Sequence, residues 1–330
     1  MKLHLYSVQA HEEKALDAYQ AQHPELELVR IDTELHPDTL VDLDGVDGIL
    51  IQQRTPIGGD QTFYDTLSVQ GIKQITTRTA GYDMIEVDRA KNAGLSISNV
   101  PAYSPRSVAE FALMQIFRLL RHTPAFDTRV AKQNFLWAGL AAREIHSVTV
   151  GIIGAGRIGG TLAGLLHALG ARVLVYDVRP RVEVSYVADY VDIQTLLKQS
   201  DVISIHVDLN STSIDLINRD AFAEMKTGMM LVNASRGPVV NTEALFEALD
   251  NGQVAAAALD TMPNEGPIFN ADFTNGAIPD INIAKAQAHP NILLTPHIAF
   301  FTDTAIDNMT QIALDDAIKI IKTGQSEHTV

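Results

Sequence analysis

The chain has 330 residues, with 25 Lys and Arg against 40 Asp and Glu and a formal net charge of −15. Its overall field therefore repels polyanions, which argues against nucleic acid or an acidic membrane surface as a direct partner. The absence of cysteine removes disulfides, thiolate metal sites and a cysteine nucleophile, and a length of about two ~150-residue domains with no ~20-residue apolar run predicts a two-domain, cytoplasmic protein without a membrane span.

Short apolar runs alternate with segments of helical length, the βαβα pattern of parallel sheets covered on both faces. The first block has runs at residues 3–8, 26–31, 48–52, 72–76 and 95–100, with a helical stretch at 11–22. A Pro-punctuated turn at 101–105 follows, then a helix predicted over 107–121. Ser107 and Glu110 there have the spacing of a capping box. That helix is apolar on more than one side, as a central or interface helix would be. The second block has nearly continuous apolar runs at 148–153, 172–176, 202–207, 229–232, 255–259 and 292–294, the signature of strands buried on both faces. A last amphipathic helix, about 304–322, is too short for a domain and is predicted to return to the first block. The expected fold is α/β, with two Rossmann-like or flavodoxin-like doubly wound parallel-sheet domains. The expected boundaries are 1–102 plus 300–330 for a discontinuous domain and 103–299 for the other.

Residues 154–159, Gly-Ala-Gly-Arg-Ile-Gly, follow the strand at 148–153 and open a helix closed by Gly170. Gly154, Gly156 and Gly159 would allow a tight turn, close approach to a pyrophosphate and helix–strand packing. The next strand ends at Asp177, where a carboxylate would bind an adenine-ribose diol and repel a 2′-phosphate, so NAD is expected as cofactor. Arg179 nearby is the one feature that would suit NADP. Further polar residues stand just after other strands: Val207-Asp208, Ser235-Arg236, Asp260 and His297. They would emerge at the carboxyl edge, where open α/β sheets bind ligands. Taken singly, Arg236 reads as a turn arginine or as a guanidinium gripping a carboxylate. His297 reads as a loop histidine or a general acid/base. Glu265 reads as a solvated loop acid or as a carboxylate that favours the His297 imidazolium and orients it.

The ordered motifs at 99–105, 150–159, 204–207, 233–237, 259–265 and 295–300 resemble the D-isomer-specific 2-hydroxyacid dehydrogenase family over roughly residues 76–310. Residues 135–138, 268–270 and 300–302 are most similar to its D-lactate-forming members from lactic acid bacteria. The resemblance implies a cleft between the two domains in which Arg236 binds the 2-keto acid carboxylate and polarises its carbonyl. His297 would donate the proton as hydride arrives from NADH, and Glu265 would keep His297 protonated. Ala80, Gly81 and Tyr103 would complete the substrate carboxylate site and Phe300 would line the pocket. Cofactor contacts would come from Arg157, Ile158, Val207, Asp208, Ser213, Ala234 and Ser235, and Asp260 would meet the nicotinamide amide. The family usually has proline where Asp208 stands.

Lactate-preferring relatives commonly have an aromatic residue where this chain has Ile51, which implies a wider pocket and a D-2-hydroxyisocaproate dehydrogenase as the alternative; otherwise Ile51 is simply core strand. A phosphoglycerate enzyme is disfavoured, because only 33 residues follow His297. The rival from another class is an NADH-sensing corepressor. No metal is expected, and the resemblance implies a homodimer through the cofactor domain, with the helix after Ser107 as the candidate contact.

Overall fold

The computed structural model describes residues 1–53 and 55–330, and they form two compact units, Met1–Ser104 with Phe301–Val330 and Pro105–Phe300.

In the first unit, strands β1 (Lys2–Leu5), β2 (Glu27–Arg30), β3 (Gly48–Ile51), β4 (Gln74–Thr77) and β5 (Ser96–Ser98) form a parallel sheet of order β2-β1-β3-β4-β5. Helices α1 (Glu13–Gln22), α2 (Gln61–Val69) and α3 (Val87–Asn92) connect them. β3 and β4 are buried along their whole length, as expected of strands covered on both faces. The strand order reverses between β1 and β3.

The second unit begins with α4 (Pro105–Leu120) and α5 (Thr123–Ala131). Strands β6 (Thr149–Ile153), β7 (Arg172–Tyr176), β8 (Asp189–Tyr190), β9 (Val202–Ile205), β10 (Met229–Asn233), β11 (Val254–Leu259) and β12 (Ile292–Leu294) alternate with α6 (Arg157–Ala168), α7 (Ile193–Gln199), α8 (Arg219–Glu224), α9 (Thr242–Asp250) and α10 (Ile281–Ala288). The sheet is parallel, in the order β12-β11-β10-β9-β6-β7-β8, and reverses between β6 and β9. Two apolar clusters, one on each face, hold it. The two-residue β8 pairs with the end of β7 and carries no periodicity from which it could be predicted.

Helix α4 starts at Pro105, so Ser107 lies inside its first turn and is buried. This corrects the expected capping box: Pro105 already supplies a preset φ at the first helical position. Ala109, Ala112, Ile116, Leu119 and Leu120 of α4 are buried in the core of the second unit. The final helix, α11 (Asp303–Thr323), has its N-terminus capped by Thr302, which accepts from the Ala305 N–H at 3.2 Å, and it stops at Gly324 with φ +88°. Its Ala313, Leu314 and Ala317 pack with Leu3, Leu5, Leu16 and Leu50 in the first unit.

Candidate active site

β10, β11 and β12 are neighbours and parallel, so the turns that leave them stand side by side at one edge of the sheet. Arg236 follows β10, Asp260 follows β11 and His297 lies three residues past β12. Asn233 builds the first turn: its Oδ1 accepts from the Ser235 N–H at 3.1 Å and the Ser235 hydroxyl at 2.8 Å, and its Nδ2 donates to the Arg236 carbonyl at 3.0 Å. Gly237 then lets this turn meet the next loop. A Cβ there would fall 2.2 Å from the carbonyl carbon of Met262 and 2.3 Å from the nitrogen of Pro263, a separation that no side chain tolerates. The segment that leads to Glu265 is thereby pressed against the Arg236 turn.

Glu265 bridges its own loop to His297. One oxygen accepts from the Met262 N–H at 2.6 Å, and the other meets Nδ1 of His297 in a very short contact. Both side chains are largely shielded, 25% exposed for His297 and 14% for Glu265. A carboxylate on Nδ1 fixes the ring and leaves Nε2 as the nitrogen able to exchange a proton with a ligand. His297 is held at φ +54°, a left-handed conformation that a non-glycine residue adopts at a cost. Asp260 supplies the restraint. It is 2% exposed, its Oδ1 accepts from the Thr295 hydroxyl at 2.6 Å and the Ile298 N–H at 3.0 Å, and its Oδ2 accepts from the Ala299 N–H at 2.9 Å. Its carbonyl also takes the His297 N–H at 2.8 Å. The structure thus shows Asp260 clasping the loop that carries His297, a role that sequence reasoning missed. The ring of Phe300 lies edge-on to His297, 6.4 Å between centroids.

The glycine loop follows β6, at the reversal between β6 and β9. Gly154 has φ +92°, and a Cβ on it would fall 2.5 Å from the His206 carbonyl oxygen; one on Gly159 would fall 1.9 Å from the Gly154 carbonyl oxygen. Gly156 differs, because a Cβ there would meet nothing within 4 Å. Two glycines therefore serve close packing, and the third faces open space at the N-terminus of α6, where the free N–H groups of a helix suit a pyrophosphate. Asp177 stands beside this loop: its carboxylate accepts from the Ala155 N–H at 2.7 Å and the Arg179 N–H at 2.7 Å. Arg157 is exposed and Ile158 half-buried in the first turn of α6. Val207 and the exposed Asp208 follow β9, where the Ser213 hydroxyl donates to the Asp208 carbonyl at 2.6 Å. Half-buried Ala234 and buried Ser235 belong to the Arg236 turn. These residues fit a dinucleotide by shape and by the charge of Asp177.

Ala80, Gly81, Tyr103 and Ile51 belong to the first unit. Ala80 and Gly81 are half-buried just past β4, and the Tyr103 carbonyl accepts from Asn308 at 2.6 Å. Ile51 is 0% exposed and packs with Tyr6, Leu35, Ile57 and Phe63 as a core residue of β3. Among the described residues no cluster of His, Asp and Glu could hold a metal ion, and no helix is long and apolar enough to cross a membrane.

A family model described as the NAD-binding domain of D-isomer specific 2-hydroxyacid dehydrogenases matches residues 113–299. The chain is 37% identical to a D-2-hydroxyacid dehydrogenase (NAD(+)) of Clostridioides difficile, over 100% of both chains. It is 38% identical to a D-lactate dehydrogenase of Lactiplantibacillus plantarum, over 100% of this chain and 99% of that one. Among solved structures, it is similar to a D-lactate dehydrogenase from a Sporolactobacillus species, at 48% identity and a TM-score of 0.84, covering 100% of this chain and 99% of that one.

Proposed function

The chain belongs to the D-isomer-specific 2-hydroxyacid dehydrogenase family, whose members are NAD-dependent oxidoreductases, and from that premise we propose that it reduces pyruvate to D-lactate with Arg236, Glu265 and His297. The observation that carries this reading is the contact of Glu265 with Nδ1 of His297, next to a turn that presents an arginine. Lactate is preferred over other 2-hydroxy acids because the relatives from Lactiplantibacillus and Sporolactobacillus bear that name.

In this reading the Arg236 guanidinium binds the substrate carboxylate and draws electron density from the adjacent ketone. Bound NADH supplies the hydride. His297 gives its Nε2 proton to the oxygen as negative charge develops there, and Glu265 offsets the positive charge of the imidazolium beforehand. Phe300 shields the histidine from water. Gly154, Gly156, Arg157, Ile158 and Gly159 hold the pyrophosphate, Asp177 the adenine ribose, and Val207, Asp208, Ser213, Ala234 and Ser235 flank the nucleotide. Asp260 is assigned chiefly to the His297 loop, and any nicotinamide contact is secondary to it. Ala80, Gly81 and Tyr103 complete the substrate carboxylate site.

Steady-state kinetics with pyruvate and 2-ketoisocaproate tests the substrate assignment. A higher kcat/KM for pyruvate is expected, and a strong preference for 2-ketoisocaproate would contradict it in favour of a bulkier 2-hydroxy acid.

A homodimer through the second unit and a cytoplasmic location are part of the same proposal, with no nucleic-acid or membrane partner. Helix α5 buries no side chain, and Phe126, Val130, Phe135, Leu136 and Trp137 are exposed, Trp137 at 85%. Large apolar side chains exposed together within one short segment mark a protein contact. Because one face of α4 is core, the contact is assigned to α5 and residues 135–137, with only the outer side of α4, Met114 included, beside them.

A further inference from the structure

In a doubly wound sheet the ligand position is the carboxyl edge where the strand order reverses. At that edge of the first unit, near the reversal between β1 and β3, lies a buried ion pair. Arg78, the first residue after β4, is 0% exposed, and Glu12, just before α1, is 2% exposed. Nε of Arg78 donates to Oε1 of Glu12 at 2.8 Å and Nη2 donates to Oε2 at 3.2 Å. Nη2 also donates to the Tyr6 carbonyl at 3.0 Å, just beyond β1. The Gln9 N–H donates to Glu12 at 3.0 Å, and the Gln52 side-chain nitrogen, turned to face the same carboxylate, lies 2.8 Å from Oε2. One pair therefore ties together the ends of β1, β3 and β4 and the start of α1.

The segment that leaves this knot is Thr79-Ala80-Gly81. The Arg78 N–H donates to the Ile51 carbonyl at 2.7 Å. Beyond it, the Thr79 carbonyl accepts from the Val100 N–H at 2.9 Å, the Ala80 carbonyl from Asn99 at 2.6 Å and the Gly81 carbonyl from the Thr79 hydroxyl at 2.7 Å. With its carbonyls engaged in this way, the segment has N–H groups to offer an anion. The knot itself is expensive to keep. A buried ion pair stabilises a fold no better than apolar side chains of the same volume, and Nη1 of Arg78 and Oγ of Ser7 are buried without a partner, each at a cost. Ser7 is also held at φ +57°. Stability alone does not account for such an arrangement at the ligand edge.

We propose that the Arg78–Glu12 pair positions the substrate, by fixing the path of residues 79–81. The proposal rests on the reading that Ala80 and Gly81 bind the substrate carboxylate. Neither Arg78 nor Glu12 touches the reacting atoms in this account.

The test is the double replacement Arg78→Met with Glu12→Leu, which removes both charges and leaves none uncompensated, alongside Glu12→Gln. KM and kcat for pyruvate, the Kd for NADH and the melting temperature are measured on the full-length protein. For the double variant, a rise in pyruvate KM of about tenfold is expected, with kcat and the NADH Kd changed by less than about threefold, the pattern of a lost substrate-binding interaction. Glu12→Gln is expected to move KM in the same direction. A folded double variant with wild-type KM overturns the proposal. Gly81→Val separates the two readings: a raised KM there, with wild-type KM in the double variant, rejects the pair and keeps the carboxylate site, whereas wild-type KM in both rejects both.

Discussion

At the residue scale, Arg236, Glu265 and His297 have different work, and sequence spacing alone could not bring them together. Replacing Arg236 with Gln keeps the size and removes the charge, so anchoring and polarisation are lost together. KM for pyruvate is expected to rise and kcat to fall, with a combined loss in kcat/KM of about a hundredfold or more; near-normal kinetics would remove Arg236 from the mechanism. Glu265→Gln keeps a partner for Nδ1 but no charge, and kcat for reduction should fall about tenfold or more while the pyruvate KM moves little. A half-buried histidine outside this set affects stability. His206 contacts the Ser204 hydroxyl through Nε2 at 2.8 Å, its Nδ1 is buried without a partner, and desolvation pushes its imidazole down to about 4. Because the folded ring resists the proton that the unfolded ring takes up near its ordinary value of about 6.5, this residue favours unfolding increasingly as pH falls from there towards 4. Melting temperatures of wild type and His206→Asn between pH 7 and 4 should show a shallower acid decline in the variant, and parallel curves would refute the assignment.

At the element scale, Gly237 decides how two loops meet. A methyl group there must displace the backbone of Met262 and Pro263, so Gly237→Ala should cost about 1–3 kcal/mol of stability and lower kcat by moving Glu265. Retained Tm and kcat would show that the loops yield. The strands and the glycine loop were readable from sequence because continuous apolar runs and fixed glycine spacing follow from burial on both sheet faces and from backbone clearance. Runs such as 172–176 and 292–294 coincide with β7 and β12. Three things were not readable. Helix α4 begins at Pro105, since a proline can open a helix that a Ser–Glu spacing then mimics from within. β8 is held by pairing with β7 alone. The depth of Ile51 depends on side chains from four separate segments. The site was readable as a set of strand-end residues, but Asp260's grip on residues 295–299 and Gly237's clearance are tertiary contacts that leave no local pattern.

At the scale of the whole molecule, the net charge of −15 sets a condition on the chemistry. Pyruvate and NADH are both anions, so the proposed site must oppose the protein's own field locally, and its positive groups are few: Arg157, Arg236, the His297 imidazolium and the N-terminus of α6. The exposed row at 126–137 bears on assembly. Sedimentation should give the mass of a dimer, and Trp137→Ser with Leu136→Ser should shift it towards the monomer; a wild-type monomer at micromolar concentration would contradict the interface. In the proposed mechanism these groups reduce a 2-keto acid to one hand of the alcohol. The direct measurement is NADH oxidation by the purified protein with pyruvate, followed by chiral analysis of the product. D-lactate formed in a 1:1 ratio to NADH consumed is predicted, whereas tight NADH binding with no turnover of any 2-keto acid, or formation of L-lactate, would contradict the account.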